Sequence, residues 1–180
     1  MYQDVIIAGF GGQGVLLIGN LLAYAAMDQG LNVTYIPVYG AEMRGGTANC
    51  TVVISDEEIG SPIIHRPIGV IAMNRPSLDK FQPRLKDGGV MIVNSSLIDP
   101  ALAETKRIKS FMVPMNEIAD SLGNSRLVNM VAIGAFAAAS GAMPVETIVG
   151  SLGRVISAHY KHMIPKNAEA IEAGAKAVRG

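Results

Sequence analysis

The stretch from Asp4 to Ile18 restricts the fold of this chain more than any other part of the sequence. It begins with four apolar residues, Val5 to Ala8, that do not alternate with polar ones, which is typical of a strand buried on both faces. A glycine cluster follows, and Val15 to Met27 is long enough and rich enough in Leu and Ala to be helical. The sequence therefore predicts a strand, a glycine turn and a helix, in that order.

The glycines of this turn, Gly9, Gly11 and Gly14, match the pattern G-x-G-x-x-G. Glycine permits positive φ angles and close backbone approach, and the start of a helix offers free N–H groups to an anion. We therefore predict an anion or cofactor site at Gly9, Gly11, Gly12, Gln13 and Gly14. The alternative is a tight turn in which Gly14 only lets the helix and the strand pack closely.

The second predicted strand, Asn32 to Val38, completes a βαβ unit with the first strand and helix. A dinucleotide-binding fold places Asp or Glu near the end of this strand to bind the ribose hydroxyls. Pro37, Val38, Tyr39 and Gly40 stand there instead. Their presence argues against NAD and FAD as ligands.

Residues 39–46, Tyr-Gly-Ala-Glu-Met-Arg-Gly-Gly, connect this strand to a third one, Thr47 to Ile54. Eight residues are too few for a crossover between parallel neighbours, so we expect a mixed sheet. Arg44 adds a planar guanidinium beside Gly45 and Gly46, whose N–H groups are free to bind a phosphate or carboxylate. The alternative is a glycine turn with an exposed Arg–Glu pair.

The rest of the sequence predicts further strands at 69–74, 88–96 and 107–114, and helices at 74–85, 116–123, 124–140, 144–160 and from Pro165 onward. We therefore predict one domain, residues 1–180, with a three-layer Rossmann-like α/β fold. Its sheet is mixed and mostly parallel, and its C-terminal flank is helical. Asn74 and Asn94 fall at strand ends, where open α/β sheets collect ligands and where asparagines also cap helices.

Composition excludes several functions. Charged residues are 17% of the chain and the formal net charge is zero, which argues against electrostatic binding of nucleic acid. A surface with so few charges is typical of a chain covered by partner subunits, although an ordinary Ala- and Gly-rich domain has the same composition. We expect no membrane span, because no apolar run reaches about 20 residues, and a cytoplasmic location, because the N-terminus lacks a basic segment.

No catalytic or metal-binding set is apparent in the sequence. The single cysteine, Cys50, cannot form a zinc site or an iron–sulfur cluster alone. His159 and His162 are three residues apart and share a helix face, which is more typical of an exposed helix end than of half a metal site. We predict neither catalytic residues nor a metal site, so the reactive centre is expected on another chain.

Three stretches resemble the gamma subunit of 2-oxoacid:ferredoxin oxidoreductases. They are residues 9–14, Gly-Phe-Gly-Gly-Gln-Gly; residues 39–46; and the helical segments Asn129 to Gly134 and Asn167 to Gly174. The similarity covers nearly the whole chain. It accounts for both the missing ribose carboxylate and the short connection between the second and third strands.

This resemblance implies a subunit of an enzyme that oxidatively decarboxylates a 2-oxoacid, transfers the acyl group to coenzyme A and reduces ferredoxin. Thiamine diphosphate and iron–sulfur clusters are then expected in the partner alpha and beta subunits or a ferredoxin-like delta subunit. Residues 39–46 look more like subunits acting on 2-oxoglutarate or branched-chain 2-oxoacids. Coenzyme A is the expected anion, and docking of the alpha subunit is the alternative role for Arg44 and the glycines. A stand-alone Rossmann-like nucleotide-binding or redox-regulatory module is the alternative function.

Overall fold

The computed structural model describes residues 1–39 and 47–180. Within them, six strands form one sheet: β1 (Tyr2–Phe10), β2 (Asn32–Tyr39), β3 (Thr47–Ser55), β4 (Gly69–Ala72), β5 (Val90–Asn94) and β6 (Lys109–Val113). Their order across the sheet is β2-β3-β1-β4-β5-β6. The strands β1, β4, β5 and β6 pair in parallel, whereas β3 is antiparallel to both of its neighbours. The predicted mixed, mostly parallel sheet is confirmed.

The predicted βαβ unit is present, but its strands β1 and β2 are not neighbours in the sheet. β3 lies between them and pairs with β1 along its whole length, from Tyr2 opposite Ser55 to Phe10 opposite Thr47. The connection after β2 is too short to cross the sheet, so β3 folds back beside β2 as an antiparallel strand. Since both β1 and β2 are antiparallel to β3, they still run in the same direction.

Seven α-helices accompany the sheet within the described residues: α1 (Val15–Asp28), α2 (Arg75–Phe81), α3 (Met115–Ser121), α4 (Val128–Ser140), α5 (Val145–Gly150), α6 (Leu152–Val155) and α7 (Ile164–Arg179). Short 3₁₀ segments lie at Gln82–Arg84, Pro100–Leu102, Ser125–Leu127 and Ala158–Met163. The single helix predicted over 144–160 is wrong. It breaks after Gly150 and again at Ile156 and Ser157, where the backbone becomes extended.

The helices cover both faces of the sheet and produce three layers. Val5 and Ile7 of β1 point into a large core formed with α1, α3, α4 and α7. Ile6 and Ala8 point into a smaller core on the other face, together with residues of α2. The apolar run without alternation is therefore a strand buried on both faces, as predicted. No helix in the described part of the chain is both long and apolar enough to cross a membrane.

The helices α4 and α7 are in direct backbone contact where they cross. A Cβ atom added to Gly134 would lie 2.7 Å from the carbonyl carbon of Ile171, and one added to Gly174 would lie 2.7 Å from that of Val131. Real Cβ contacts essentially never fall below 3.0 Å. Each helix therefore needs a glycine where the two cross, because a side chain there would collide with the backbone of the other helix.

Candidate functional site

The turn between β1 and α1 depends on glycine for its backbone conformation. Gly12 has φ 92° and Gly14 has φ 72°, both in the region that L-amino acids rarely adopt. The N–H of Gln13 donates to the Phe10 carbonyl at 3.1 Å, which closes the turn. Gly11 and Gly12 are exposed at its tip, so their backbone faces solvent.

The start of α1 can attract an anion. Gly14 is the N-cap of this 14-residue helix and has no side chain to bond the first N–H groups, and no acidic residue lies in the first turn. The N–H groups of Val15, Leu16 and Leu17 have no acceptor within the helix, and the helix dipole places positive partial charge there. This geometry suits a phosphate or carboxylate bound from outside the chain.

The Gln13 side chain is bound to backbone groups of its own chain. Its Oε1 accepts from the Phe10 N–H at 2.6 Å, and its Nε2 lies 3.5 Å from the Met73 carbonyl oxygen at the end of β4. The amide thus braces the turn against the neighbouring strand. Among the predicted site residues that the structure describes, all the others are glycines, and both ends of the Gln13 amide contact backbone groups.

Gly9 and Gly14 are also packing positions, as the alternative interpretation of the motif proposed. A Cβ atom at Gly9 would lie 2.9 Å from Cγ2 of Val15, and one at Gly14 would lie 2.8 Å from Cγ of Asn129. Nδ2 of Asn129 donates to the Gly14 carbonyl oxygen at 3.3 Å. Gly9 and Gly14 are therefore packed against neighbouring side chains, whereas the backbone of Gly11 and Gly12 stays exposed.

Asn129 is a site residue that the sequence did not single out. It is 5% exposed and lies in the first turn of α4. The available signal was a lone asparagine at the start of a helix that is otherwise apolar. That pattern does not say which distant segment the amide contacts.

Arg44, Gly45 and Gly46 lie outside the described residues. Their flanking strands are described, and Thr47 at the start of β3 lies opposite Phe10 at the end of β1. Tyr39 at the end of β2 lies opposite Ala48. Both residues that flank segment 40–46 therefore lie at the C-terminal end of β1, the end of the sheet that also carries the glycine turn.

The asparagines at the strand ends act as braces and caps. Oδ1 of Asn74 accepts from the Ser77 N–H at 2.9 Å and caps α2. Nδ2 of Asn94 donates to the Met73 carbonyl and to Oδ1 of Asn116. Asn74 therefore caps a helix, and Asn94 ties the end of its strand to two neighbouring segments.

Cys50, His159 and His162 do not form a reactive cluster. Burial raises the pKa of the Cys50 thiol to about 12, and its sulfur lies 3.7 Å from the Val15 carbonyl oxygen. His159 and His162 are exposed on the 3₁₀ segment Ala158–Met163. Among the described residues, no group of three or more His, Cys, Asp or Glu side chains is placed to hold a metal ion. An iron–sulfur cluster does not fit this chain, because its one cysteine is buried in the core.

Comparison with known proteins adds independent information. The family model described as pyruvate ferredoxin/flavodoxin oxidoreductase matches residues 4–177. The chain is 38% identical over 175 residues to ketoisovalerate oxidoreductase subunit VorA of Methanothermobacter thermautotrophicus, covering 97% of this chain and 36% of that protein. It is 38% identical over 152 residues to 2-oxoglutarate synthase subunit KorC of Methanothermobacter marburgensis, covering 81% of this chain and 82% of that protein.

Two solved structures share the fold. The gamma subunit of a keto/oxoacid ferredoxin oxidoreductase from Geobacter sulfurreducens has a TM-score of 0.86 at 24% identity, covering 99% of this chain and 97% of that one. The 2-oxoglutarate:ferredoxin oxidoreductase from Magnetococcus marinus, with 2-oxoglutarate, coenzyme A and succinyl-CoA bound, has a TM-score of 0.86 at 21% identity. It is matched over 99% of this chain and 31% of that chain. The chain also spans only about a third of the length of the ketoisovalerate oxidoreductase relatives that it matches.

Proposed function

Because this chain belongs to the pyruvate ferredoxin/flavodoxin oxidoreductase family, we propose that it serves as the gamma-type subunit of a 2-oxoacid:ferredoxin oxidoreductase. The observation that carries this proposal is its similarity to a 2-oxoglutarate synthase subunit of comparable length, matched over 82% of that protein. In this role the chain assembles with alpha and beta subunits, and with a ferredoxin-like delta subunit where one is present. These partners hold the thiamine diphosphate and the iron–sulfur clusters, and ferredoxin accepts the electrons in the cytoplasm.

The substrate of the complex is a 2-oxoacid, with 2-oxoglutarate and branched-chain 2-oxoacids favoured. Two kinds of support agree on this choice. Residues 39–46 resemble subunits that act on these substrates, and the relatives reported above are subunits of a ketoisovalerate oxidoreductase and a 2-oxoglutarate synthase. The choice between the two substrates belongs to the partner subunits, where the reacting carbon is bound.

The glycine turn and Arg44 form the anion site of this subunit, and coenzyme A is its ligand. Three observations support this: the exposed backbone of Gly11 and Gly12, the uncapped start of α1, and the attachment of segment 40–46 at the same sheet edge. A helix N-terminus and a guanidinium together suit the phosphate groups of coenzyme A. A related complex has been solved with coenzyme A bound. This chain binds and orients the coenzyme, while the chemistry takes place on the partner subunits.

We expect the isolated chain to show no reduction of ferredoxin with any 2-oxoacid and coenzyme A, because the thiamine diphosphate and the clusters are on other subunits. Co-expression with the alpha and beta subunits is expected to restore activity. The measurement is the rate of ferredoxin reduction by the chain alone and by the purified complex. Turnover by the pure single chain would rule out the subunit role.

Replacing Arg44 with alanine is expected to raise the Michaelis constant for coenzyme A while the complex stays intact. A factor of about ten corresponds to about 1.4 kcal/mol of lost binding, close to the lower end of the roughly 1.5–3 kcal/mol typical of a hydrogen bond to a charged group. The matched control is Arg66→Ala, an exposed arginine ahead of β4 at the opposite sheet edge. Loss of assembly in Arg44→Ala, with affinity for coenzyme A unchanged, would identify Arg44 as a docking residue instead.

A further inference from the structure

The connection between β3 and β4 is long and contains neither a helix nor a strand. It spans residues 56–68, between Ser55 at the end of β3 and Gly69 at the start of β4. Connections longer than about 12 residues without secondary structure are uncommon in compact domains, and those that occur are usually functional. Ser55 lies opposite Tyr2 at the start of β1, so this connection is at the end of the sheet opposite the glycine turn.

The second half of the connection is fastened to the body of the domain. The guanidinium of Arg84 donates to the carbonyl oxygens of Ile64 and His65, each at 3.0 Å. The N–H of Ile68 donates to Oδ1 of Asp4 at 2.6 Å, and Asp4 is itself only 1% exposed. These bonds fix the backbone in one conformation. A partner that binds here therefore has little backbone ordering to offset.

The fastened backbone presents an isoleucine to solvent. Ile63 is 64% exposed, the largest value among the exposed large hydrophobic side chains of the described residues. Its N–H donates to Oγ of Ser61 at 3.2 Å, and the next residue along the chain is held by Arg84. A single exposed isoleucine is ordinary in a soluble domain. Ile63 differs because its backbone is held in place and because cations lie beside it.

Two cations share one aromatic ring next to this backbone. Nζ of Lys80 lies 5.3 Å from the centre of the Phe81 ring, and Cζ of Arg84 lies 5.4 Å from it. No described carboxylate forms an ion pair with either cation. Asp79, next to Lys80 in the sequence, pairs with Arg75 instead at 2.8 Å. Two like charges held this close repel each other, so a negative group from outside the chain would stabilise them.

The carboxylates of the connection are at its other end, in residues 56–58. There the Glu57 carbonyl oxygen accepts from Nδ2 of Asn32 at 3.0 Å, at the start of the edge strand β2. In the sheet, β2 is three strands away from β4, roughly 14 Å. The half of the connection that Arg84 holds is therefore the basic half.

We propose that Ile63, Lys80 and Arg84 form a docking surface for another subunit of the complex, one that carries acidic side chains around an apolar pocket. This proposal rests on the subunit role proposed above. Ile63 enters the pocket, and the two cations pair with the surrounding carboxylates. An apolar anchor with a polar rim is the usual anatomy of a protein interface, and the sign of the rim selects the partner.

The test measures the affinity of the full chain for the assembly of the other subunits. Ile63→Ser and Lys80→Glu are each expected to raise the dissociation constant at least about tenfold, by removing the anchor and by reversing a charge. Both side chains are exposed, so the circular dichroism spectrum is expected to stay unchanged. The matched controls, Met27→Ser and Lys176→Glu, replace exposed residues of helices on the other face of the sheet and are expected to keep the wild-type affinity.

The outcomes separate this proposal from the subunit role. Wild-type affinity in both Ile63→Ser and Lys80→Glu would overturn the docking surface, and tighter binding by Lys80→Glu would overturn the acidic partner. Self-association of the chain alone that disappears in Ile63→Ser would identify a second copy as the occupant instead. If the wild-type chain does not bind the other subunits at all, the subunit role itself fails.

Discussion

Replacing Gly174 with alanine is expected to cost the chain about 3 kcal/mol or more of its free energy of unfolding, a large share of the roughly 5–15 kcal/mol that stabilises an ordinary domain. The added methyl group would lie 2.7 Å from the carbonyl carbon of Val131 and closer still to its oxygen. A backbone carbonyl inside a helix cannot rotate away as a side chain can. The helices α4 and α7 must therefore separate, which opens the core around Ile133 and Ile171.

The measurement is urea unfolding followed by circular dichroism, with Gly153→Ala as the matched control. Gly153 is also a helical glycine, but a Cβ atom there would meet nothing within 4 Å. Alanine has the higher helix propensity, so this control is expected to be neutral or stabilising by up to about 1 kcal/mol. Equal unfolding midpoints for Gly174→Ala and Gly153→Ala would contradict the close crossing. Gly134→Ala is expected to behave as Gly174→Ala does, because the contact is reciprocal.

Replacing Gly14 with alanine is expected to destabilise the chain by about 2–4 kcal/mol and to weaken coenzyme A binding by at least about tenfold in the assembled complex. Two costs add at this position. The φ angle of 72° costs a residue with a Cβ atom roughly 1–2 kcal/mol. The methyl group would also lie 2.8 Å from Cγ of Asn129 and displace the start of α1.

Gly30→Ala separates these two costs. Gly30 follows the other end of α1 with φ 73°, and a Cβ atom there would meet nothing within 4 Å. This control has the same backbone cost without the contact. We therefore expect its free energy of unfolding to fall by only about 1–2 kcal/mol and the affinity of the complex for coenzyme A to stay unchanged. The double variant Gly14→Ala/Asn129→Ala removes the contact and is expected to recover part of the difference. If Gly14→Ala and Gly30→Ala lose equal stability and equal affinity, the contact with Asn129 has no role.

Local sequence signals were sufficient for most of the elements near the site. The glycine cluster ends β1 and begins α1 because positive φ angles are available there to glycine alone. Pro83 shortens the helix that starts after Asn74, which ends at Phe81 and continues only as a 3₁₀ turn. The same local reasoning failed over 144–160. Val145, Ile148 and Leu152 are buried at helical spacing, so the apolar pattern continues across a break in the backbone.

The candidate anion site is where sequence reasoning reached least far. Two interpretations of the glycine motif, packing and anion binding, remained open because both require glycine at the same positions. The structure shows packing at Gly14, which meets Asn129, and exposed backbone at Gly11 and Gly12, where anion binding stays a prediction. Gln13 was predicted as part of the anion or cofactor site, which stays a prediction, and the structure shows that its amide contacts Phe10 and lies near Met73.

By itself the sequence determined the strand, turn and helix around the glycines, the mixed sheet and the strand that contains Cys50, because each depends on residues close together in the chain. The tertiary structure decided the order of the strands and the contacts between distant segments. β3 inserts between β1 and β2, although no local pattern distinguishes this order from a direct pairing of β1 with β2. Gly14 and Asn129 are 115 residues apart in the sequence, and Gly134 and Gly174 each lie against the backbone of a helix distant in sequence. Contacts of this kind are set by the packing of the whole core. The periodicity of one segment shows which face is buried but not which distant segment covers it.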